Sequence, residues 1–107
     1  MTHPAPLTAC RTATPAEIPS TAARLARDAE AAGWRHRTTY AHGTTTDAQG
    51  HPSHLVESIV VRLRRDPLAA VAIWHDGKFR LGYVWSRYTS PRRIASRDLS
   101  RFIKDAA

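Results

Sequence analysis

Arginine is the residue type in this chain best equipped to do chemistry. The 107 residues include 14 Arg and 2 Lys against nine acidic residues, for a net charge of +7. The excess is confined to one half. Residues 61–107 carry nine Arg and two Lys against four Asp, whereas five Arg and five acids cancel over residues 1–60. A guanidinium holds a phosphate through two parallel hydrogen bonds. Several such contacts give the salt-dependent affinity of a polyanion binder. Two groups stand out by spacing. Arg35, Arg37, Arg62, Arg64, Lys78 and Arg80 alternate with other residues along extended stretches, so each set falls on one side of its strand. Arg87, Arg92, Arg93, Arg97 and Arg101 gather about the start of the last helix, where free N–H groups and the dipole already favour anions. Both groups also fit ordinary solvated faces, because arginine is this chain's habitual polar residue.

Other chemistries find less support. Of six histidines, His42, His51 and His54 flank one loop, and His51-Pro52-Ser53-His54 has a loosely metal-like spacing. No cysteine partners them and Asp47 is the one nearby carboxylate, short of the three or four convergent ligands a metal needs. Glu57 lies among apolar neighbours, and with His36 or Tyr40 alongside it would make an acid–base pair; a rim position or an ion pair with arginine is the plainer reading. The chain holds no nucleophile beside its base, no phosphate-cradling glycine loop and no paired carboxylates. The expectation is a protein that is not an enzyme and uses no metal or cofactor.

The elements must position these residues. Thr14-Pro15-Ala16-Glu17 has the form of a capping box with proline at the first helical position, but Pro19 would interrupt a helix begun there, which leaves either one short turn or a start near Pro19 or Ser20. Ala22, Leu25, Ala29 and Ala32 form that helix's inner stripe, and Gly33 ends it. Trp34–Thr45 reads as a strand with Trp34, His36, Thr38 and Tyr40 inward and Arg35 and Arg37 outward. A polar loop is expected from His42 to Ser53. His54–Arg65 is the second strand, with Leu55, Ile59, Val61 and Leu63 on one face and Val56, Ser58, Val60, Arg62 and Arg64 on the other. Ala69–Trp85 is a hairpin about Asp76-Gly77, a type I′ turn signal. The last helix starts either with Ser90 as cap or at Ser96, and Leu99, Phe102 and Ile103 line its inner stripe in both readings. The fold class is α+β: an antiparallel four-stranded meander with both helices on one face, in the order α-β-β-β-β-α. It occupies residues 15–107 as one domain behind a disordered tail over residues 1–14.

The hairpin turn sets the register. With no irregularity, Trp74 opposes Phe79, Ile73 opposes Arg80, Ala72 opposes Leu81 and Ala70 opposes Tyr83. That sends Leu81, Tyr83 and Trp85 to the core. It leaves Lys78 and Arg80 on the open face beside Arg62 and Arg64, with no aromatic residue there for bases to stack upon. Val56, Val60, Val71, Ile73 and Val84 also fall on that face, a set that would suit a subunit interface.

One helix, an antiparallel sheet and a final helix with a basic start resemble the double-stranded RNA-binding domain in layout, over about residues 20–106. Ser90-Pro91-Arg92-Arg93-Ile94-Ala95 is similar to that family's Ser-Lys-Lys-x-Ala helix start, with Arg for Lys and an intervening proline; the family has three strands where four are expected here. The resemblance implies duplex contact through the first helix, the loop after the first strand and the start of the last helix. The chain also resembles small accessory proteins of actinobacteria and their mobile elements, which implies no mechanism. No run reaches the length of a membrane span. The N-terminal stretch lacks the basic start and apolar core of a signal peptide, and the single Cys10 cannot form an internal disulfide, so a cytoplasmic protein is expected. The functional expectation is a small basic nucleic-acid-binding accessory protein that contacts duplex backbone through both arginine groups. The alternative is a non-enzymatic regulator that meets an acidic protein surface, or a second copy of itself, through the open sheet face.

Overall fold

The computed structural model describes residues 9–46 and 48–105. It is an α+β structure with one six-stranded antiparallel sheet and two helices. The strands are β1 (Ala9–Thr12), β2 (Arg35–Thr46), β3 (Pro52–Arg65), β4 (Leu68–His75), β5 (Lys78–Ser86) and β6 (Thr89–Ile94), and they pair strictly in chain order. The helices are α1 (Ser20–Ala31), before β2, and α2 (Ser96–Asp105), after β6. Two strands therefore join the four expected. β1 is formed by residues expected to lie in a disordered tail, and pairs Arg11 with Tyr40 and Thr12 with Thr39. β6 is formed by residues that one reading gave to the last helix. That helix starts instead at Ser96, with Asp98 in its first turn, and the Ser90–Ile94 run lies in the edge strand. β2 and β3 also extend into the expected loop, reaching Thr46 and starting at Pro52; Asp47 lies outside the described residues.

The helical start and stop signals act as written. Thr14 donates its backbone N–H and its hydroxyl to Glu17 Oε1, at 2.9 and 3.0 Å, around a single 3-10 turn at Pro15–Glu17. α1 begins after Pro19 and buries Ala22, Leu25 and Ala29. Gly33, at φ +86°, ends it, and the Trp34 N–H donates back to the Ala29 carbonyl at 2.9 Å. Only a residue free of Cβ adopts that φ without strain.

One face of the sheet carries the core. Register places Ile59, Val61 and Leu63 of β3 on the same side as Ala70, Ala72 and Trp74 of β4, Gly82 and Val84 of β5, and Ile94 of β6. These side chains, apart from the glycine, belong to one buried cluster with Ala22, Leu25 and Ala29 of α1 and Leu99 and Ile103 of α2. Both helices therefore cover the same face. Two tryptophans anchor them: the Trp74 indole donates to Thr21 Oγ1 at 2.9 Å, and the Trp34 indole donates to the Ile103 carbonyl at 3.2 Å.

The central hairpin departs from its expected register. The turn is as read, with Asp76 at φ 50°, Gly77 at φ 82°, and His75 opposite Lys78. Trp74 still opposes Phe79, but Ile73 then opposes Leu81, so Arg80 is an extra residue in a β-bulge. Every later pair shifts by one: Ala72 meets Gly82, Val71 meets Tyr83, Ala70 meets Val84 and Ala69 meets Trp85. A one-residue slip exchanges the two faces of a strand. Leu81, Tyr83 and Trp85, expected in the core, lie on the open face, while Val84, expected on the open face, is buried at 2% exposure. Packing around Phe79 fits this register. Phe79 stands edge-on to Trp74 with ring centroids 5.4 Å apart. A Cβ at position 82 would already come within 3.3 Å of the Phe79 ring and 3.4 Å of Ile94. The observed register seats Gly82, which has no Cβ, in this tight space.

Candidate nucleic-acid interface

The open face is built by alternation along the strands that bury Ile59, Val61 and Leu63. One row across it runs Arg37, Arg62, Val71, Tyr83, Arg93; the next runs Arg35, Arg64, Ala69, Trp85. At the end of the sheet that holds the Asp66-Pro67 turn these rows bound a groove of about 680 Å³. Leu68, Ala69, Val71 and Trp85 supply its apolar surface. Arg35, Arg37, Arg62, Arg64 and Arg87 line it with positive charge, against Asp66 as its one lining acid.

The arginines are held to different degrees. Arg62 Nη1 donates to Thr39 Oγ1 at 3.0 Å, which fixes its stem along the face. Arg64 Nε donates to Asp66 Oδ1 at 3.2 Å, but both side chains are about two-thirds exposed, and such a pair is weak and easily exchanged for another anion. Arg35, Arg37 and Arg87 make no ion pair among the described residues. The Arg87 backbone N–H donates to the Pro67 carbonyl at 3.0 Å, which pins the β5–β6 turn to the groove wall. That turn is braced internally: the Ser86 N–H donates to Thr89 Oγ1 at 3.0 Å and the Tyr88 N–H to Ser86 Oγ at 3.1 Å. It presents Tyr88 at 80% exposure beside Arg87.

Of the eleven residues expected to contact nucleic acid, Arg35, Arg37, Arg62, Arg64 and Arg87 come together at this groove, and Arg93 extends their face at the β6 edge. The other five lie elsewhere. Lys78 is at the far end of the hairpin, opposite His75 as the turn signal predicts, and Arg80 is the exposed bulge residue; neither lines the groove with Arg62 and Arg64. Arg92 opposes Val84 and so alternates to the helix-covered side. Arg97 and Arg101 are exposed on α2, which packs on that same side. Arg92, Arg93 and Arg101 nonetheless meet beside α2, where they line a second pocket with Phe102 and the acids Asp98 and Asp105; Arg92 and Arg93 reach it from a strand and not from the helix's first turn. The residues that sequence reasoning missed are Tyr83, Trp85 and Tyr88. Gly82 held the signal: glycine inside a strand marks a bulge or a close approach.

The remaining candidates sit apart. Tyr40 stacks on His42 with ring centroids 5.8 Å apart, and the Arg11 guanidinium lies 4.5 Å from the Tyr40 ring centre. Partial burial, and next the Glu57 carboxylate, push the Tyr40 phenol up. Of the two partners expected for Glu57, Tyr40 is therefore beside it, whereas His36 lies 3.6 Å from Glu30 instead. Among the described residues no cluster of three or more His, Cys, Asp or Glu has metal-binding geometry, and no helix is long and apolar enough to cross a membrane. Comparison with protein-family models, curated proteins and solved structures finds no match for this chain.

Proposed function

We propose that this protein binds nucleic acid, and that it does so through the open face of its sheet. The observation that carries this reading is the convergence of five arginines on one groove from β2, β3 and the β5–β6 turn, with Asp66 as the one acid among its lining. Such a surface concentrates positive potential along a line, which suits a phosphate backbone better than a compact anion. The arginines expected on the last helix do not belong to this surface, so α2 is not part of the reading.

The test is binding to labelled DNA and RNA oligonucleotides across a salt series. If about five phosphates are neutralised, affinity falls on the order of a hundredfold or more between 50 and 200 mM salt. The double variant Arg62→Glu, Arg64→Glu should abolish most of the binding, whereas Arg97→Glu, Arg101→Glu should leave most of it. Affinity indifferent to salt, or the reverse order of the two variants, refutes the reading.

A further inference from the structure

We infer that the strand seated on this face is single, with a base stacked on Trp85. The inference rests on the nucleic-acid reading above and adds the class of ligand. Its starting point is the bulge at Arg80, which turns Tyr83 and Trp85 away from the helices and into the same face as the arginines. Trp85 is half-buried and lines the groove, while Arg35, Arg64 and Arg87 line the same groove. Tyr83 lies two residues along the strand in the next row, directly opposite Val71. Tyr88 adds a third ring at the braced turn. A duplex buries its base faces inside the stack and offers a sheet only phosphates and groove edges. The partly buried rings of Tyr83 and Trp85 would go unused against it. A single strand offers both parts, a charged backbone for the arginines and free base faces for the rings. Neighbouring strands lie about 4.8 Å apart, so the span from β2 to β5 suits about two or three nucleotides.

A second copy of this chain is the other occupant to weigh, because Val60, Val71, Ile73 and Leu81 give the face an apolar strip. Charge argues against it. A two-fold contact sets the same patch against itself, bringing the arginines of one copy toward those of the other with no row of acids to answer them.

Trp85 reports on its own occupancy. Trp34 and Trp74 are buried at 3% and 2% exposure, so quenching of the chain's fluorescence by a stacked base would come from Trp85. The experiment titrates the full chain with oligo(dT), oligo(U) and a mixed duplex, each about 10 nucleotides long, reading tryptophan fluorescence and the anisotropy of a labelled strand. The expected result is quenching by the single strands, with affinity at least about tenfold above that for the duplex. Trp85→Ala should weaken single-strand binding about 5- to 150-fold, and Trp85→Phe should restore most of the anisotropy signal. Tyr88→Ala, which removes a side chain 80% exposed, should weaken it about threefold or more. Equal or tighter binding of the duplex, together with unchanged affinity in Trp85→Ala and Tyr88→Ala, overturns the inference and leaves the nucleic-acid reading standing. No binding of any oligonucleotide at low salt removes both. A dimer in sedimentation that Val71→Asp dissociates overturns the inference in favour of self-association.

Discussion

Deleting Arg80 should leave this protein folded, although the residue sits in the middle of its central hairpin. In the structure Arg80 is the one unpaired residue between the Trp74–Phe79 and Ile73–Leu81 pairs. Pairing between β5 and β6 begins only at Gly82. Removing it brings Phe79 and Leu81 into regular succession without moving any later pair, so Val84 stays against the helices and Tyr83 and Trp85 stay on the open face. The loss is one exposed side chain and a local twist, which amounts to about 1 kcal/mol or less. A hairpin in the regular register would respond oppositely. There the deletion would turn Leu81, Tyr83 and Trp85 out of the core, at about 1.5–3 kcal/mol each. The sum, roughly 5–9 kcal/mol, matches the whole stability of a domain this size. Urea unfolding followed by far-ultraviolet circular dichroism separates the two outcomes, with acrylamide quenching of Trp85 as a check on its exposure. A folded variant whose unfolding free energy falls by no more than about 1 kcal/mol agrees with the bulge. A loss above about 4 kcal/mol, or an unfolded variant, refutes the face assignment and with it the stacking surface.

Two further perturbations probe the same framework. Val84→Asp places a carboxylate at a site 2% exposed beneath the helices, at a cost of several kcal/mol that should prevent folding; Tyr83→Asp, one residue away on the open face, should cost only about 1–2 kcal/mol, and thermal melts of the pair reveal which residue faces the core. Glu17 gives a pH signature. Its bidentate pair with Arg11, at 2.8 and 2.6 Å, followed by its bond from Thr14, lowers its carboxyl from 4.5 to about 2. A carboxyl depressed in the folded state stabilises fully above its unfolded value and loses that contribution as pH falls through its folded one. Glu17→Gln should therefore lower the melting temperature at pH 7 and lose most of that difference between pH 4.5 and pH 2. A gap that stays constant over that window would show that the ion pair is not responsible.

The first helix was legible because its signals are local. Pro19, the alanine stripe and Gly33 bound α1 within about one residue, and the Asp76-Gly77 turn sits where its dihedrals demand. The edge strands were not legible for the opposite reason. Ala9–Thr12 and Thr89–Ile94 carry little apolar alternation, and they are strands only because β2 and β5 offer unpaired backbone to them. Ser90-Pro91-Arg92-Arg93 read equally well as a helix start, since proline is welcome both at a first helical turn and in an edge strand.

What the sequence by itself determined is the α+β class, the excess of arginine in the second half, and the faces of Arg35, Arg37, Arg62 and Arg64, whose strands alternate plainly between apolar and charged. What only the tertiary structure decided is which side of β5 meets the helices. In Leu81-Gly82-Tyr83-Val84-Trp85 both alternating sets are apolar, so periodicity cannot choose between them. The folded structure seats Gly82 in the tight space beside Phe79 and Ile94, where a Cβ would come within 3.3–3.4 Å. The bulge at Arg80 that seats it there sends Tyr83 and Trp85 outward and gives the basic face its aromatic residues.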